Sequence, residues 1–448
     1  MSEFVDKVKN AASTPLFKII LICLLIRILL IPFCLVYDAN FWTIVIRNME
    51  SGNGLYQVEG YYYTPVWGYI LGFVSGMQNL LFDIGDLSVV CYDLFSLLMV
   101  DQYAYSDMAI SMVFLMDLKI ILTVSDLVMS VILYQMVKGR TGDERKATMA
   151  FLLVFICPHI IGASSVVTMP DTMSAMFTLM TIFLLKDDRY FFAGVCYALA
   201  VWVKFFPIAI VLVLVCYVYV GTDGDVKKAI ERIGKSFLGF MLASAVIFYP
   251  QFMEGTLPQS LAFLTDRIIE IINWGILSII GTLLGSITIV AIAVIVGRHM
   301  LHAKGDKDDR LMEYSMILLS VCMLFYTNMQ YLVTMIPFLV YSLLVINDRY
   351  KWIWILLAIV GVILTFMLNT NANMLNSLVV YTDLVPASFV TSLFDFLNKE
   401  IIAGELSIVD VFCSFANALQ KVCLVMIPSL FVIDRIIAKR NRETDEGQ

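Results

Sequence analysis

Asp38 could do acid–base chemistry, as judged from its residue type and its position in the chain. It follows a long apolar run, and aromatic residues flank it, with Tyr37 before it and Trp42 one helical turn after it. A carboxylate held between an apolar helix and aromatic rings can act as a general base toward a hydroxyl group. The alternative is an ordinary solvated aspartate in a loop, and residue type alone does not separate the two.

Five further charged residues lie inside apolar runs, namely Arg27, Lys119, Asp126, Lys204 and Lys421. Charge in hydrocarbon is costly, so each of them is a functional candidate or has a buried partner. Lys119 and Asp126 are seven residues apart and share one helix face, about 10.5 Å apart along the axis. They predict a polar contact between helices, with a proton relay as the alternative.

The side chains that usually hold metal ions are scattered along the chain. The three histidines form no zinc pattern, and the nine cysteines include no CxxC pair. No metal and no organic cofactor are therefore predicted. A divalent cation is not excluded, because Asp38 and Asp171 together could hold one.

The elements that carry these residues follow from composition. Of the 448 residues, 60% are hydrophobic and 15% are charged, and the mean hydropathy is +0.86. Soluble domains are about half apolar and about a quarter charged, so a cytosolic enzyme, a nucleic-acid binder and a disordered chain are excluded. The apolar segments are continuous rather than short and alternating. They predict an all-α transmembrane helical bundle and exclude a β-barrel.

Apolar runs long enough to span a bilayer as helices predict a single membrane domain over residues 1–448. The candidates number about twelve: 17–36, 109–137, 147–162, 172–186, 190–204, 207–221, 236–250, 273–297, 311–327, 331–346, 352–368 and 411–434. Most of the 30 Lys and Arg residues fall in alternate connections, which by the positive-inside rule places both termini in the cytoplasm.

Two connections are long, 38–108 and 369–410, and both are external in this arrangement. The first contains two apolar stretches, 66–82 and 87–100. The turn between these stretches carries two aspartates and no Lys or Arg, whereas every predicted inside turn carries a basic residue. We therefore expect two interfacial helices lying along the outer surface. In the alternative, both stretches span the membrane. The number of spans then stays even, and both termini stay on the same side.

Several short motifs, taken in order, resemble the GT-C superfamily of integral-membrane glycosyltransferases. The similarity is greatest to the polyprenyl-phosphate-mannose-dependent mannosyltransferases, those of glycosyltransferase family 87 and the GPI mannosyltransferases. The matching pieces are Tyr-Asp at 37–38, Tyr-Tyr-Tyr-Thr-Pro at 61–65, Pro-Asp at 170–171, Lys-Phe-Phe-Pro at 204–207 and Gln-Tyr at 330–331. One departure stands out: Thr168-Met169 replaces the family's Gly-Gln or Gly-Asn before the second acidic residue.

The resemblance implies an enzyme that transfers a hexose, typically mannose, from a polyprenyl-phosphate donor to a lipid or glycan acceptor with inversion. Asp38 would be the catalytic base, and Asp171 the second acidic residue that orients the acceptor or holds the sugar. Lys204, just before Pro207, would bind the donor phosphate, with Arg267 as an alternative or second phosphate contact. The alternatives are a helix N-terminal acid for Asp171, a snorkelling lysine for Lys204 and a solvated loop charge for Arg267.

Aromatic and amide side chains complete the predicted site. The residues expected to contact the sugar or the acceptor are Tyr37, Tyr61, Tyr62, Tyr63, Trp67, Gln330 and Tyr331. Aromatic residues also gather at membrane interfaces without any ligand, and that is the alternative for this set.

Two other functions compete with the glycosyltransferase. A transporter or flippase for a lipid-linked or polar substrate would concentrate its polar residues near mid-membrane between repeats, whereas here they gather in the external loops. A non-catalytic scaffold is the other possibility, and it would not need an acid, a base and a cation gathered in one site. The enzyme would act on the outer face of the cell membrane, or in the ER membrane of a eukaryote. Its expected binding partners are a lipid-linked donor, an acceptor and membrane lipids, and binding of nucleic acid is not expected.

Overall fold

The fold is that of a computed structural model, in which these residues are described: 15–34, 37–57, 61, 63–82, 88–90, 108–262, 276–303, 305–325, 329–367, 375–382, 384–402 and 406–446. Within these ranges the chain is all-α apart from two short antiparallel strand pairs. The predicted fold class is therefore confirmed at this level.

The helices follow one another along the whole described chain. In chain order they are α1 (Pro15–Leu30), α2 (Tyr37–Glu50), α3 (Pro65–Phe82), α4 (Met112–Thr141), α5 (Glu144–Phe155), α6 (Pro158–Ile161), α7 (Asp171–Lys186), α8 (Tyr190–Val203), α9 (Val211–Val220), α10 (Val226–Glu254), α11 (Leu257–Ser260), α12 (Ile276–Met300), α13 (Lys307–Leu324), α14 (Ile336–Tyr341), α15 (Tyr350–Met367), α16 (Asn376–Tyr381), α17 (Ala387–Leu397) and α18 (Ile408–Glu446). Short 3₁₀ or π-helical turns lie at Gly162–Val166, Phe206–Ile210, Met329–Thr334 and Ser342–Ile346.

Among the described residues, four helices are long and apolar enough to cross a membrane: α4, α10, α12 and α18. A fifth candidate is formed if α5 and the segment Pro158–Val166, bent by 42° at their junction, are one broken span. The runs 172–186 and 190–204 are helical as predicted, but α7 and α8 are shorter than the ~20 residues of a full crossing. The described residues thus support a membrane protein, and the count of twelve spans is not confirmed.

The predicted first external loop contains regular structure. Residues 38–50 belong to α2, and 66–82 form most of α3, as expected for the first apolar stretch. The second stretch, 87–100, was expected to be helical, and this is wrong at its start, because Ser88–Val90 is a strand paired with Met108–Ile110. Two successive valines favour extended backbone. Residues 91–107 lie outside the described part of the chain.

The last external loop is also more ordered than a plain connection. Helices α16 and α17 occupy much of it, and they are followed by an antiparallel pair of Glu400–Ile402 with Leu406–Ser407. Ser407 then starts α18, because its hydroxyl accepts from the Asp410 backbone N–H at 3.1 Å while the Asp410 carboxylate accepts from the Ser407 N–H. This reciprocal pair satisfies two donors that a helix start leaves open.

The first helix ends earlier than its apolar run. Pro32 cannot donate a backbone hydrogen bond and disfavours helical backbone in the residue before it, so α1 stops at Leu30 and a turn follows. The ammonium group of Lys119 in α4 then caps this turn, donating to the carbonyls of Ile31, Phe33 and Cys34 at 2.9, 2.5 and 3.2 Å. Asp38 consequently lies in the first turn of α2 rather than at the end of the first span.

Helix α8 lies between α7 and α10, and its contact with α10 is made through glycines. A Cβ at Gly194 would sit 1.8 Å from the carbonyl oxygen of Ser236, and one at Gly239 would sit 2.1 Å from that of Phe191. Only glycine allows two helix backbones to approach this closely. This crossing fixes the position of α8, whose C-terminal end carries the candidate site.

Ion pairs between helices mark one end of the bundle, named here the ion-paired end. Its members are Arg140–Asp309, Lys186–Asp308 and Arg349–Asp434, at 2.7, 3.3 and 2.8 Å. Arg435, next to Asp434, donates to Tyr314 of α13 at 3.1 Å and joins the third pair to the others. Because α7 runs from Asp171 to Lys186, Asp171 lies at the opposite end, about 24 Å away along the axis.

Candidate active site

Lys204 is positioned by a helix break. Pro207 has no backbone N–H, and its ring would clash with the carbonyl of Val203 if the helix continued. Helix α8 therefore ends at Val203, and Lys204 takes an extended backbone conformation with φ −148° and ψ 134°. Its side chain leaves the helix end and is 16% exposed.

Asp171 is positioned by an unusual turn. It is the first residue of α7 and follows Pro170, and its side chain is only 1% exposed. Just before it, Thr168 has a φ of +67°, a left-handed backbone that is rare for a β-branched residue. This is the position at which the resembling family carries glycine, which adopts such a φ without strain.

The two residues meet. The Lys204 ammonium nitrogen lies 3.7 Å from Oδ2 of Asp171, 4.6 Å from the ring centroid of Tyr63 and 5.4 Å from that of Tyr331. Aromatic faces attract a cation through the ring quadrupole. One carboxylate and two tyrosine rings, predicted separately and drawn from three distant parts of the chain, therefore surround a single ammonium group.

The segment that bears Tyr63 is tied to the rest of the site. Tyr56 donates its hydroxyl to the Tyr63 carbonyl at 2.8 Å. Thr64 donates to the carbonyl of Trp202, near the end of α8, and Tyr63 donates to the Met169 sulfur at 3.7 Å. The ring of Tyr63 is thus fixed both to the helix before Lys204 and to the turn before Asp171.

Tyr331 and Gln330 lie on a 3₁₀ turn at Met329–Thr334. The ring of Tyr331 packs on Phe206 with centroids 4.5 Å apart. The Gln330 side chain is buried, and within the described residues its carbonyl oxygen accepts no hydrogen bond. An unpaired buried amide is costly, and its position beside Tyr331 fits a group that a polar ligand would satisfy.

Two of the predicted sugar contacts are buried by packing against other aromatic side chains. Trp67 is fully buried and packs edge-on against Trp42, with centroids 5.3 Å apart. Tyr61 is buried between Tyr56 and Tyr63, and its hydroxyl donates to the Thr64 carbonyl at 3.0 Å. Both residues stabilise the loop by packing, as aromatic side chains at an apolar boundary commonly do.

The side chains of four predicted residues are not among those that the structure describes. The backbone of Tyr37 and Asp38 is placed in the first turn of α2, but nothing is described of their side chains. Tyr62 and Arg267 lie outside the described residues altogether. Asp38 is nonetheless one helical turn before Trp42, whose ring contacts Trp67 in the helix that follows Tyr63. The roles given to these four residues stay predictions.

The buried polar residues of α4 have structural partners. Asp126 pairs with Arg27 of α1 at 2.6 Å, and both side chains are fully buried. Arg27 also donates to the hydroxyls of Ser164 and Ser165, each at 3.0 Å, and to the carbonyl of Phe155. Lys119 is used in capping the turn after α1. These contacts join helices, which is the kind of polar contact that the sequence predicts for Lys119 and Asp126, with the proton relay as its alternative.

Sequence reasoning missed some residues at the site and found others without their partners. Met169 and Phe206 contact Tyr63 and Tyr331, and nothing in their residue types indicated this. Arg27 was identified as a costly charge, but its partner is 99 positions away in the sequence. Within the described part of the chain, no three His, Cys, Asp or Glu side chains stand close enough to hold a metal ion.

The site therefore offers a partly exposed ammonium group, a buried carboxylate and aromatic faces at one end of an apolar bundle. The family model described as Mannosyltransferase (PIG-M) matches residues 165–255. This confirms the resemblance to GT-C type membrane mannosyltransferases and supports a membrane mannosyltransferase. The matched segment contains both Asp171 and Lys204. A search of curated proteins gives no match to the chain.

Proposed function

We propose that the protein transfers mannose from a polyprenyl-phosphate donor to a lipid or glycan acceptor, with inversion at the anomeric carbon. The observation that carries this proposal is the Lys204 ammonium group, 3.7 Å from Asp171 and faced by two tyrosine rings, inside the segment that matches the mannosyltransferase family. Mannose is the sugar of that family, and a lipid-linked donor fits a site at the end of an apolar bundle.

The proposed role of Lys204 is to bind the donor phosphate. A lysine ammonium has three donors on a flexible stem and can turn toward a new anion without breaking a bidentate geometry. Its 3.7 Å separation from Asp171 is longer than a tight charge-assisted hydrogen bond of about 2.7–2.9 Å. As the bond from the anomeric carbon to the phosphate oxygen breaks, negative charge grows on the phosphate, and the nearby cation stabilises it.

The proposed base is Asp38. The acceptor hydroxyl oxygen would attack the anomeric carbon on the face opposite the phosphate, and Asp38 would take its proton. Asp171 would orient the acceptor or hold the sugar, while Tyr63 and Tyr331 would offer faces to the sugar ring. Arg267 remains a second candidate for the phosphate. The reaction needs no nucleotide, and no metal is proposed.

The proposed location of this chemistry is the outer face of the membrane. Asp171 and Lys204 lie at the end opposite the ion-paired end, which carries Arg140, Lys186 and Arg349. By the positive-inside rule, the end that is rich in Lys and Arg faces the cytoplasm. The same rule supports cytoplasmic termini.

The test is a transfer assay with purified protein in lipid nanodiscs. Radiolabelled polyprenyl-phosphate-mannose and a membrane lipid extract are supplied, and a labelled product is sought by chromatography. We expect Lys204→Ala to reduce donor use by about 10²–10³-fold, the range for losing one electrostatic contact to a developing anion. Lys204→Arg should restore part of the rate, because the charge remains but its geometry differs.

The matched control is Lys351→Ala, which removes an exposed lysine next to the ion-paired end and should leave transfer unchanged. If Lys204→Ala uses the donor at the wild-type rate, the phosphate contact lies elsewhere, and Arg267 is tested next. If the wild-type protein forms no labelled product but moves the intact lipid between leaflets, the flippase function replaces the transferase.

A further inference from the structure

A cavity lies at the other end of α8, away from the candidate active site. It has a volume of about 500 Å³ and is formed between the start of α8 and the first three turns of α10. This volume falls within the ~300–1,000 Å³ of small-molecule sites. Helix α8 has 14 residues, so the cavity lies about 21 Å along the axis from Lys204. It therefore cannot belong to the same site.

The cavity carries an excess of positive charge. Four basic residues line it, namely Arg189, Lys228, Arg232 and Lys235, against two acidic ones, Asp188 and Glu231. Lys235 pairs with Glu231 at 2.6 Å and Arg232 with Asp188 at 3.8 Å. Among the described residues, no carboxylate lies within ion-pair distance of Arg189 or Lys228. Two cations thus remain to face an anion.

The side chains at the floor of the cavity are fixed by contacts with one another and with the backbone. The guanidinium of Arg232 lies over the ring of Tyr190, 4.9 Å from its centroid, and donates to the carbonyl of Gly221 at 3.0 Å. The hydroxyl of Tyr190 in turn donates to Asp188. These contacts hold Arg232 in place, so a cation is presented to the cavity with little loss of side-chain freedom when an anion binds.

The surroundings of the cavity point to a lipid rather than a soluble anion. Phe192 lines the cavity and is 59% exposed, and Ile230 and Phe237 on α10 are similarly exposed. Helix α10 is a candidate membrane span with most of its apolar residues on the outside of the bundle. In a bilayer that surface meets acyl chains, so the cavity opens where a headgroup and its chains join. Basic pockets between helices on the cytoplasmic side bind anionic headgroups in this way.

We propose that this cavity binds the headgroup phosphate of an anionic phospholipid, held by Arg189 and Lys228 over the fixed Arg232. The acyl chains would run along Phe192 and the exposed face of α10. This site is independent of the proposed transfer reaction. Binding there would stabilise the crossing of α8 and α10, because the cavity is lined by both helices.

The test measures lipid retention on the full-length protein. Protein is purified into nanodiscs of phosphatidylcholine containing a small fraction of phosphatidylglycerol, and the lipid that stays bound after detergent exchange is quantified by native mass spectrometry. The test variant is Arg189→Gln/Lys228→Gln. Each basic residue near an anionic headgroup is worth about fivefold in affinity, so we expect retention of phosphatidylglycerol to fall by about 25-fold.

The matched control is Arg145→Gln/Lys227→Gln, which removes the same charge from two exposed residues that do not line the cavity. It should retain phosphatidylglycerol as the wild type does. Equal loss in the control, or undiminished retention in the test variant, would overturn the proposal. A further arm offers the wild type inorganic phosphate alone, in pure phosphatidylcholine discs and at the same anion concentration. Retention of that phosphate would identify a site for free anions and would also overturn the proposal.

Discussion

The charged side chains at the two ends of the bundle are paired with different geometries. At the ion-paired end, Arg140 makes three hydrogen bonds to the two carboxylate oxygens of Asp309 at 2.7–3.0 Å, and Tyr341 adds a fourth at 2.8 Å. At the site end, Lys204 is 3.7 Å from Oδ2 of Asp171 and lies close to the rings of Tyr63 and Tyr331. The first arrangement fixes helices to one another.

The difference suggests what each arrangement is suited to. A bidentate arginine–carboxylate pair is specific in geometry, and its donors are already used by the partner. A lysine ammonium is a point charge on a flexible stem, so at a longer distance from its carboxylate it can reorient toward an incoming anion. The two ends therefore differ in the geometry of their ion pairs, short and bidentate at one end and longer and single at the other.

The largest expected effect comes from Asp38→Asn, which removes the proposed base but keeps its size. Transfer should fall by about 10²-fold or more, as for a lost general base, while donor binding survives because Lys204 is untouched. Stability should change by less than about 1 kcal/mol, the value of a carboxylate near a helix start. Transfer rate and melting temperature are measured together.

Asp348→Asn is the control for this substitution, because it changes an exposed aspartate beside the ion-paired end. It should leave both measurements unchanged. A near-normal transfer rate in Asp38→Asn would show that the base is another residue, and it would remove the assignment that the resemblance makes for the first loop.

The second prediction concerns the buried pair that lies away from both ends. Asp126→Ala leaves Arg27 buried without its carboxylate, which should lower the free energy of unfolding by about 3–5 kcal/mol. The double substitution Arg27→Met/Asp126→Leu removes both charges and should recover most of that loss. Unfolding in detergent is followed for all three proteins. A double variant no more stable than Asp126→Ala would mean that the surrounding hydrogen bonds, not the pairing, hold these helices.

The third prediction compares carboxylates at the two ends. Asp171→Asn should reduce transfer by about 10²-fold, because a ligand or cation misplaced by about 1 Å can cost that much. Asp309→Asn should leave transfer unchanged and lower stability by about 1 kcal/mol or less, as for partly exposed ion pairs. Equal effects of the two substitutions on transfer would show that the ends do not differ in function.

The smallest expected effect is a gain. Thr168→Gly should raise the free energy of unfolding by about 0.5–1 kcal/mol, because relief of the left-handed strain at φ +67° exceeds the added flexibility of glycine. Thr168→Ala keeps the strained φ and serves as the comparison, so it should show no such gain. If alanine stabilises as much as glycine, the benefit comes from losing the buried hydroxyl instead.

Composition and breaks in the apolar pattern predicted the all-α bundle and several helix ends. Pro207 predicted where α8 would end and therefore where Lys204 would leave it. The count of spans could not be predicted as reliably, because apolar runs such as 172–186 form helices shorter than a membrane crossing when they are buried against other helices. The strand at Ser88–Val90 depends on its pairing with Met108–Ile110, which local sequence does not reveal.

At the site, the candidate residues could be predicted from sequence, but their spatial proximity could not. Asp171 and Lys204 were each singled out from sequence, yet their approach depends on α7 and α8 running side by side in opposite directions. Tyr63 is placed there by its own hydrogen bond to Met169 and by the bond from the neighbouring Thr64 to the carbonyl of Trp202, and both partners are more than 100 positions away. Such contacts are tertiary, and no periodicity within one segment encodes them.

The Arg27–Asp126 pair also has a consequence for the order of biogenesis. The two residues are separated by 99 positions, and the arginine is translated first. At about 5–20 residues per second, α1 waits roughly 5–20 s for the carboxylate that neutralises it. In the predicted first span, 17–36, Arg27 is central, and a central arginine costs about 2.5–3.5 kcal/mol on insertion. The Leu and Ile residues that make up most of α1 can offset this cost. On that prediction, early integration of the first helix relies on its own side chains, while its final position depends on a helix not yet made.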